Sequence, residues 1–118
     1  MFDISNNGIV KLNRGDTFHV PYFINSNTDL NPIRYALTDG DKLYLALMEP
    51  NQPFEQAILK QVYDSSSEKT NDGDIILKID PEDTEMLLPG KYYYTFKLRL
   101  ADGTVCTTTP MREFWLIE

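Results

Sequence analysis

The segment over residues 87–110 constrains the fold more than any other part of the chain. Tyr92-Tyr93-Tyr94-Thr95-Phe96-Lys97-Leu98-Arg99-Leu100 sets Tyr92, Tyr94, Phe96, Leu98 and Leu100 on one face and Tyr93, Thr95, Lys97 and Arg99 on the other, which is the period of a strand. Asp102-Gly103 offers the positive φ values that a tight turn requires, and Thr104-Val105-Cys106-Thr107-Thr108-Thr109 returns with β-branched residues until Pro110 ends the pairing. An antiparallel hairpin is expected here, and with it an antiparallel sheet protein.

The remaining elements follow the same pattern. Ile9-Val10-Lys11-Leu12 reads as a first strand and Arg14-Gly15-Asp16 as a turn; Thr17-Phe18-His19-Val20-Pro21-Tyr22-Phe23-Ile24 reads as a second strand. Pro21 cannot donate a ladder hydrogen bond, so that strand belongs at a sheet edge or carries a bulge. Residues 25–32 are polar and loop-like. Lys42-Leu43-Tyr44-Leu45-Ala46-Leu47-Met48 alternates with its leucines toward the core, and Ala57-Ile58-Leu59-Lys60-Gln61-Val62 is read as a strand rather than a helical turn because it is short and a turn-rich break follows. Ile75, Leu77 and Ile79 mark another strand. Asp80-Pro81-Glu82-Asp83 has the signature of a helix start, giving one short helix near residues 81–88 that Pro89-Gly90 stops. Glu113-Phe114-Trp115-Leu116-Ile117 closes the chain. Eight strands and one short helix in 118 residues predict a single all-β domain over residues 1–118, an antiparallel two-layer immunoglobulin-like β-sandwich, with a small closed barrel as the alternative.

Charge and composition narrow the function. Eighteen acidic against eleven basic residues give a net charge of −7, with the basic residues dispersed singly, which argues against nucleic acid as a partner. The start lacks a basic region followed by an apolar run, so no secretory signal is expected. The longest apolar run, residues 43–48, is far shorter than the roughly twenty residues that cross a bilayer. One cysteine, Cys106, forms no internal bridge and fits a reducing compartment.

Nothing in the chain assembles the usual catalytic or metal constellations. His19 is the only histidine, too few for a triad or a common zinc site. Asp80, Glu82, Asp83 and Glu85 are spaced for capping and a helix face rather than for calcium, and Asp39-Gly40-Asp41 and Asn71-Asp72-Gly73-Asp74 are spaced for turns. A strand cysteine such as Cys106 is read as a small packing residue. Arg14-Gly15-Asp16 is assigned to the turn it occupies. No enzyme and no cofactor is expected, and hydrolysis by the Asp80 to Glu85 carboxylates is the least favoured reading.

Aromatic residues are more suggestive. Tyr93 points away from the face of Tyr92 and Tyr94, and Trp115 from that of Phe114 and Leu116, so either both faces are buried between sheet and helix or one residue of each pair is left outside the core. If exposed, Tyr93 and Trp115, with Tyr44 beside its leucines, are the candidate anchors for a partner. A second reading makes Trp115, Tyr44 or Tyr93 a platform for sugar rings, as in a carbohydrate- or host-surface-binding module.

Four pieces occur in order: Ile9-Val10-Lys11-Leu12-Asn13-Arg14-Gly15-Asp16-Thr17, Asp39-Gly40-Asp41-Lys42-Leu43, Ile75-Ile76-Leu77-Lys78-Ile79-Asp80-Pro81-Glu82-Asp83-Thr84, and Leu88-Pro89-Gly90-Lys91-Tyr92-Tyr93-Tyr94 leading into the hairpin. Together they resemble small immunoglobulin-like virion proteins of tailed phages of Gram-positive gut bacteria, which serve as baseplate, head-decoration or fibre-attachment modules. The resemblance implies a structural protein assembled in the host cytoplasm and located in the virion. It also implies capsid, baseplate or fibre proteins as partners, many symmetric copies or a homo-oligomer, and no catalytic residues.

Overall fold

The computed structural model describes residues 2–4, 8–24 and 35–118. The loop read at residues 25–32 lies outside them. Strands β1 (Phe2–Ile4), β2 (Val10–Asn13), β4 (Lys42–Met48), β5 (Leu59–Tyr63), β7 (Gly90–Arg99) and β8 (Val105–Ile117) form one sheet in the order β1-β2-β8-β7-β4-β5; β3 (Phe18–Tyr22) and β6 (Ile75–Ile79) form a separate two-stranded ribbon. A single turn of 3₁₀ helix lies at Phe54–Gln56 and a short helix, α1, at Pro81–Glu85.

The described strands number eight, as expected, but by a different division of the chain. β1 adds a strand where none was read, and the two closing strands expected on either side of Pro110 are one strand of 13 residues. Pro110 does not end the pairing. Between Tyr94↔Arg112 and Phe96↔Thr109, β8 advances three residues for two on β7, and a second shift follows at Lys97↔Thr107. A residue without an N–H can pass through a sheet at such a bulge, because one position there is left out of the ladder. The turn differs too. Only Gly103, with φ of 93°, has positive φ, and it closes a three-residue loop in which Gly103 N–H donates to Leu100 O and Leu100 N–H to Thr104 O. The sheet is also not wholly antiparallel: β2 runs parallel to β8, with Leu12 opposite Leu116.

One face of each sheet supplies the core. Leu43, Leu45 and Leu47 of β4, Tyr92, Tyr94, Phe96 and Leu98 of β7, and Phe114 and Leu116 of β8 form a single buried cluster with Phe18, Ile75, Leu77 and Ile79 of the ribbon. Leu43, Leu45 and Leu47 face the core as their alternation predicts, and Tyr92, Tyr94, Phe96 and Leu98 share one face, the buried one. Two tyrosines fix the ribbon across the large sheet. At one edge the Tyr22 hydroxyl bonds Thr108 Oγ1 at 2.9 Å and Thr109 Oγ1, which ties β3 to β8; at the other, Lys78 N–H donates to the Tyr63 hydroxyl at 3.1 Å, which ties β6 to β5. The sheet therefore curls, and the ribbon spans its concave face above β7 and β4. Pro21 sits opposite Ile76 in this ribbon, where each strand has one neighbour, so the edge placement expected for it holds.

Packing beneath the ribbon is incomplete. A cavity of about 190 Å³ lies between the two sheets.

Helix α1 closes one end of the molecule. Asp80 stands at the N-cap and Pro81 in the first turn, as expected, and the Asp83 carboxylate, not foreseen as part of the cap, accepts the Asp80 N–H at 2.8 Å. Thr84 is fully buried, and its hydroxyl accepts the Gly15 N–H at 3.1 Å. Arg14 extends the same junction, donating to Leu87 O at 3.3 Å and pairing with Glu118 at 2.8 Å.

Candidate functional site

The convex face of the large sheet carries all three aromatic residues singled out in the sequence. Period-two alternation sends Tyr44, Tyr93 and Trp115 there because their neighbours Leu43, Leu45, Tyr92, Tyr94, Phe114 and Leu116 are drawn inward. Trp115 is the most open, at 37% exposure, while Tyr93 and Tyr44 are half-buried.

Pairing register brings two of the three together. Lys91 lies opposite Trp115, and Glu113 lies opposite Tyr93. The Lys91 ammonium sits 5.8 Å from the Trp115 ring centre and 5.6 Å from that of Tyr93, within the range where a cation is drawn to a π face. Glu113 Oε1 accepts the indole N–H at 2.9 Å and so fixes the tilt of the ring. On the other side, Lys11 of β2 is the lateral partner of Trp115. The indole therefore lies between two lysines, with the Glu113 carboxylate at its N–H. Exposed Ile117 continues the apolar surface along β8.

Tyr44 stands apart from this pair. It is opposite Lys97 on one side and Val62 on the other, four residues along β7 from Tyr93. Between them Ala46, Met48 and Thr95 are buried although they point outward, because the 3₁₀ turn folds over the sheet at this point. Its Phe54 ring is held beneath the ammonium groups of Lys60 at 4.4 Å and Lys97 at 4.6 Å. Sequence reading did not find Lys91, Lys11 or the Phe54 cover. The alternation gives the face of each residue, but which residues are lateral neighbours depends on register between strands distant in the chain.

The other residues considered for chemistry are dispersed. His19 is exposed on the outer side of the ribbon, and Cys106 is exposed with its thiol 3.8 Å from Leu98 O. No group of three or more metal-ligating side chains occurs among the described residues. Asp41, read only as part of a turn, is buried at 2% exposure; it accepts bonds from the Tyr35 hydroxyl, from the Thr38 N–H at 2.9 Å and hydroxyl at 3.0 Å, and from the Ala101 N–H at 3.0 Å. Those donors, the Tyr35 hydroxyl foremost, hold its carboxyl below the usual carboxylate range. The same bond raises the Tyr35 hydroxyl. Its partners are all internal, so it is a structural tie between the loop before β4 and the tip of the β7–β8 hairpin.

Among the described residues, no helix is long and apolar enough to cross a membrane. No protein-family model, curated protein or solved structure matches the chain.

Proposed function

We propose that this protein is a structural module that acts by noncovalent assembly: an immunoglobulin-like β-sandwich of a tailed-phage virion, docked in many copies onto capsid, baseplate or fibre proteins through its convex face. The observation that carries the reading is Trp115, more than one-third exposed on a sheet face, oriented by Glu113 and flanked by Lys91 and Lys11. A large aromatic ring held rigid by its neighbours is the kind of anchor that dominates protein interfaces. Repetition in symmetric copies multiplies a modest contact into a stable attachment.

Two measurements test this. The purified chain is mixed with each virion protein encoded beside its gene, and complex formation and self-association are followed by sedimentation; a saturable complex with one of them, or a defined homo-oligomer, is expected. Trp115→Ala is expected to weaken that association at least tenfold while changing stability by no more than about 1 kcal/mol, as for a surface position. An intact complex in the variant overturns the assignment of the face. A second reading rests on the same indole, which is also suited to stacking on sugar rings. Quenching of Trp115 fluorescence by sugars, with no protein complex formed, favours that one.

A further inference from the structure

The cavity between the ribbon and the concave face is walled by the rings of Phe18, Tyr94, Phe96 and Phe114 and by the aliphatic groups of Leu47 and Leu77. Its volume of about 190 Å³ exceeds that of apolar cavities of about 150 Å³ that stay free of water and admit benzene. The polar groups that reach it are already committed. The Tyr22 hydroxyl is bonded to Thr108 and Thr109, and the Tyr94 hydroxyl donates to Gly8 O. Among the described residues no buried side-chain nitrogen or oxygen lacks a partner. The cavity is partly open to solvent, but water inside it meets walls that are mostly apolar and side-chain polar groups that already have partners, a poor exchange for the hydrogen bonds of bulk water.

We propose that this cavity is a binding site for one small, uncharged aromatic molecule. The walls favour a ring over a flexible chain. Tyr22 stacks on Phe96 with ring centres 4.1 Å apart, and Tyr94 meets Phe96 and Phe114 edge to face at 6.1 and 6.4 Å. A bound ring extends that offset and edge-to-face arrangement. The wall is mostly apolar and has no charged side chain, so affinity falls as polarity rises.

The test is titration of the intact protein, labelled at its Leu, Ile and Val methyl groups, with benzene and in parallel with phenol. Saturable shifts confined to methyls lining the cavity, such as those of Leu47, Leu77 and Val10, are expected with benzene, together with a melting-temperature rise of about 5 °C at tenfold saturation. Phenol is expected to bind at least tenfold more weakly. Val20→Phe and Leu77→Phe, which fill the space from two sides, are each expected to weaken benzene binding at least tenfold, whereas Val62→Phe on the convex face leaves it unchanged. Absence of saturable shifts from the wild-type protein means that the space is closed or filled by the chain itself and overturns the proposal. Benzene affinity that survives both filling variants, or phenol binding as tight as benzene, overturns it as well.

Discussion

Asp41 illustrates how one residue can be plain in the sequence and decisive in the fold. Its carboxyl is depressed in the folded chain, chiefly by the Tyr35 hydroxyl, relative to an unfolded value of about 3.9. The stabilisation is therefore complete above roughly pH 4 and is lost as pH falls through the lower folded value. Asp41→Asn is expected to lower stability at neutral pH by about 2 kcal/mol, since one acceptor of several bonds becomes a partial donor, and to flatten the acid limb of a stability–pH profile measured by denaturant unfolding. A profile parallel to that of the wild type refutes this role. Gly40 beside it has φ of +90°, and a Cβ there would lie 2.8 Å from that of Ala101. Gly40→Ala is expected to cost about 2 kcal/mol through left-handed strain and the lost approach of the hairpin tip, read as a fall in thermal midpoint. Neither role was legible from Asp39-Gly40-Asp41, because Ala101 is sixty positions away along the chain and the triplet itself only spells a turn.

At the scale of elements, what reads well is whatever local sequence controls. β4 and β6 have the expected bounds because alternation and flanking turns set them without help. α1 starts where Asp80-Pro81 says it should, but ends at Glu85 rather than near residue 88, because Leu87 is packed against the core while Met86 and Leu88 point to solvent. Asp83→Ala is expected to cost about 1 kcal/mol, the usual worth of a cap, and to affect mainly the junction where Thr84 receives the Gly15 N–H; amide exchange at Gly15 reports it. β8 shows the limit of local reading. A proline ordinarily stops a strand, and only the pairing with β7, with its two register shifts, shows that the strand continues past it.

At the scale of the molecule, closure depends on contacts between distant parts of the chain. The parallel pair β2 and β8 joins residues about a hundred positions apart, as Leu12↔Leu116 does, and the ribbon pairs Phe18 with Ile79. Forming such pairs has an entropic cost that must be met before packing offsets it, so refolding in the millisecond-to-second range is expected. Trp115, the only tryptophan, makes stopped-flow fluorescence the direct measurement. Leu12→Ala, at a fully buried position of β2, is expected to cost about 3 kcal/mol. That fall in stability contrasts with the small effect expected of Trp115→Ala, one residue from Leu116, the lateral partner of Leu12.

Sequence alone determined where most strands lie and that Tyr44, Tyr93 and Trp115 face away from their neighbours in the strand, because alternation is a property of neighbouring residues and acts without knowledge of the rest of the chain. That Trp115 is open to solvent was settled only by what the layers cover. Tertiary structure decided that Trp115 and Tyr93 share Lys91 while Tyr44 is set apart by the Phe54 turn, that β2 runs parallel to β8, and that a cavity remains beneath the ribbon. These depend on register and on the distance between layers, which are fixed only when strands far apart in the chain compete for the same partners.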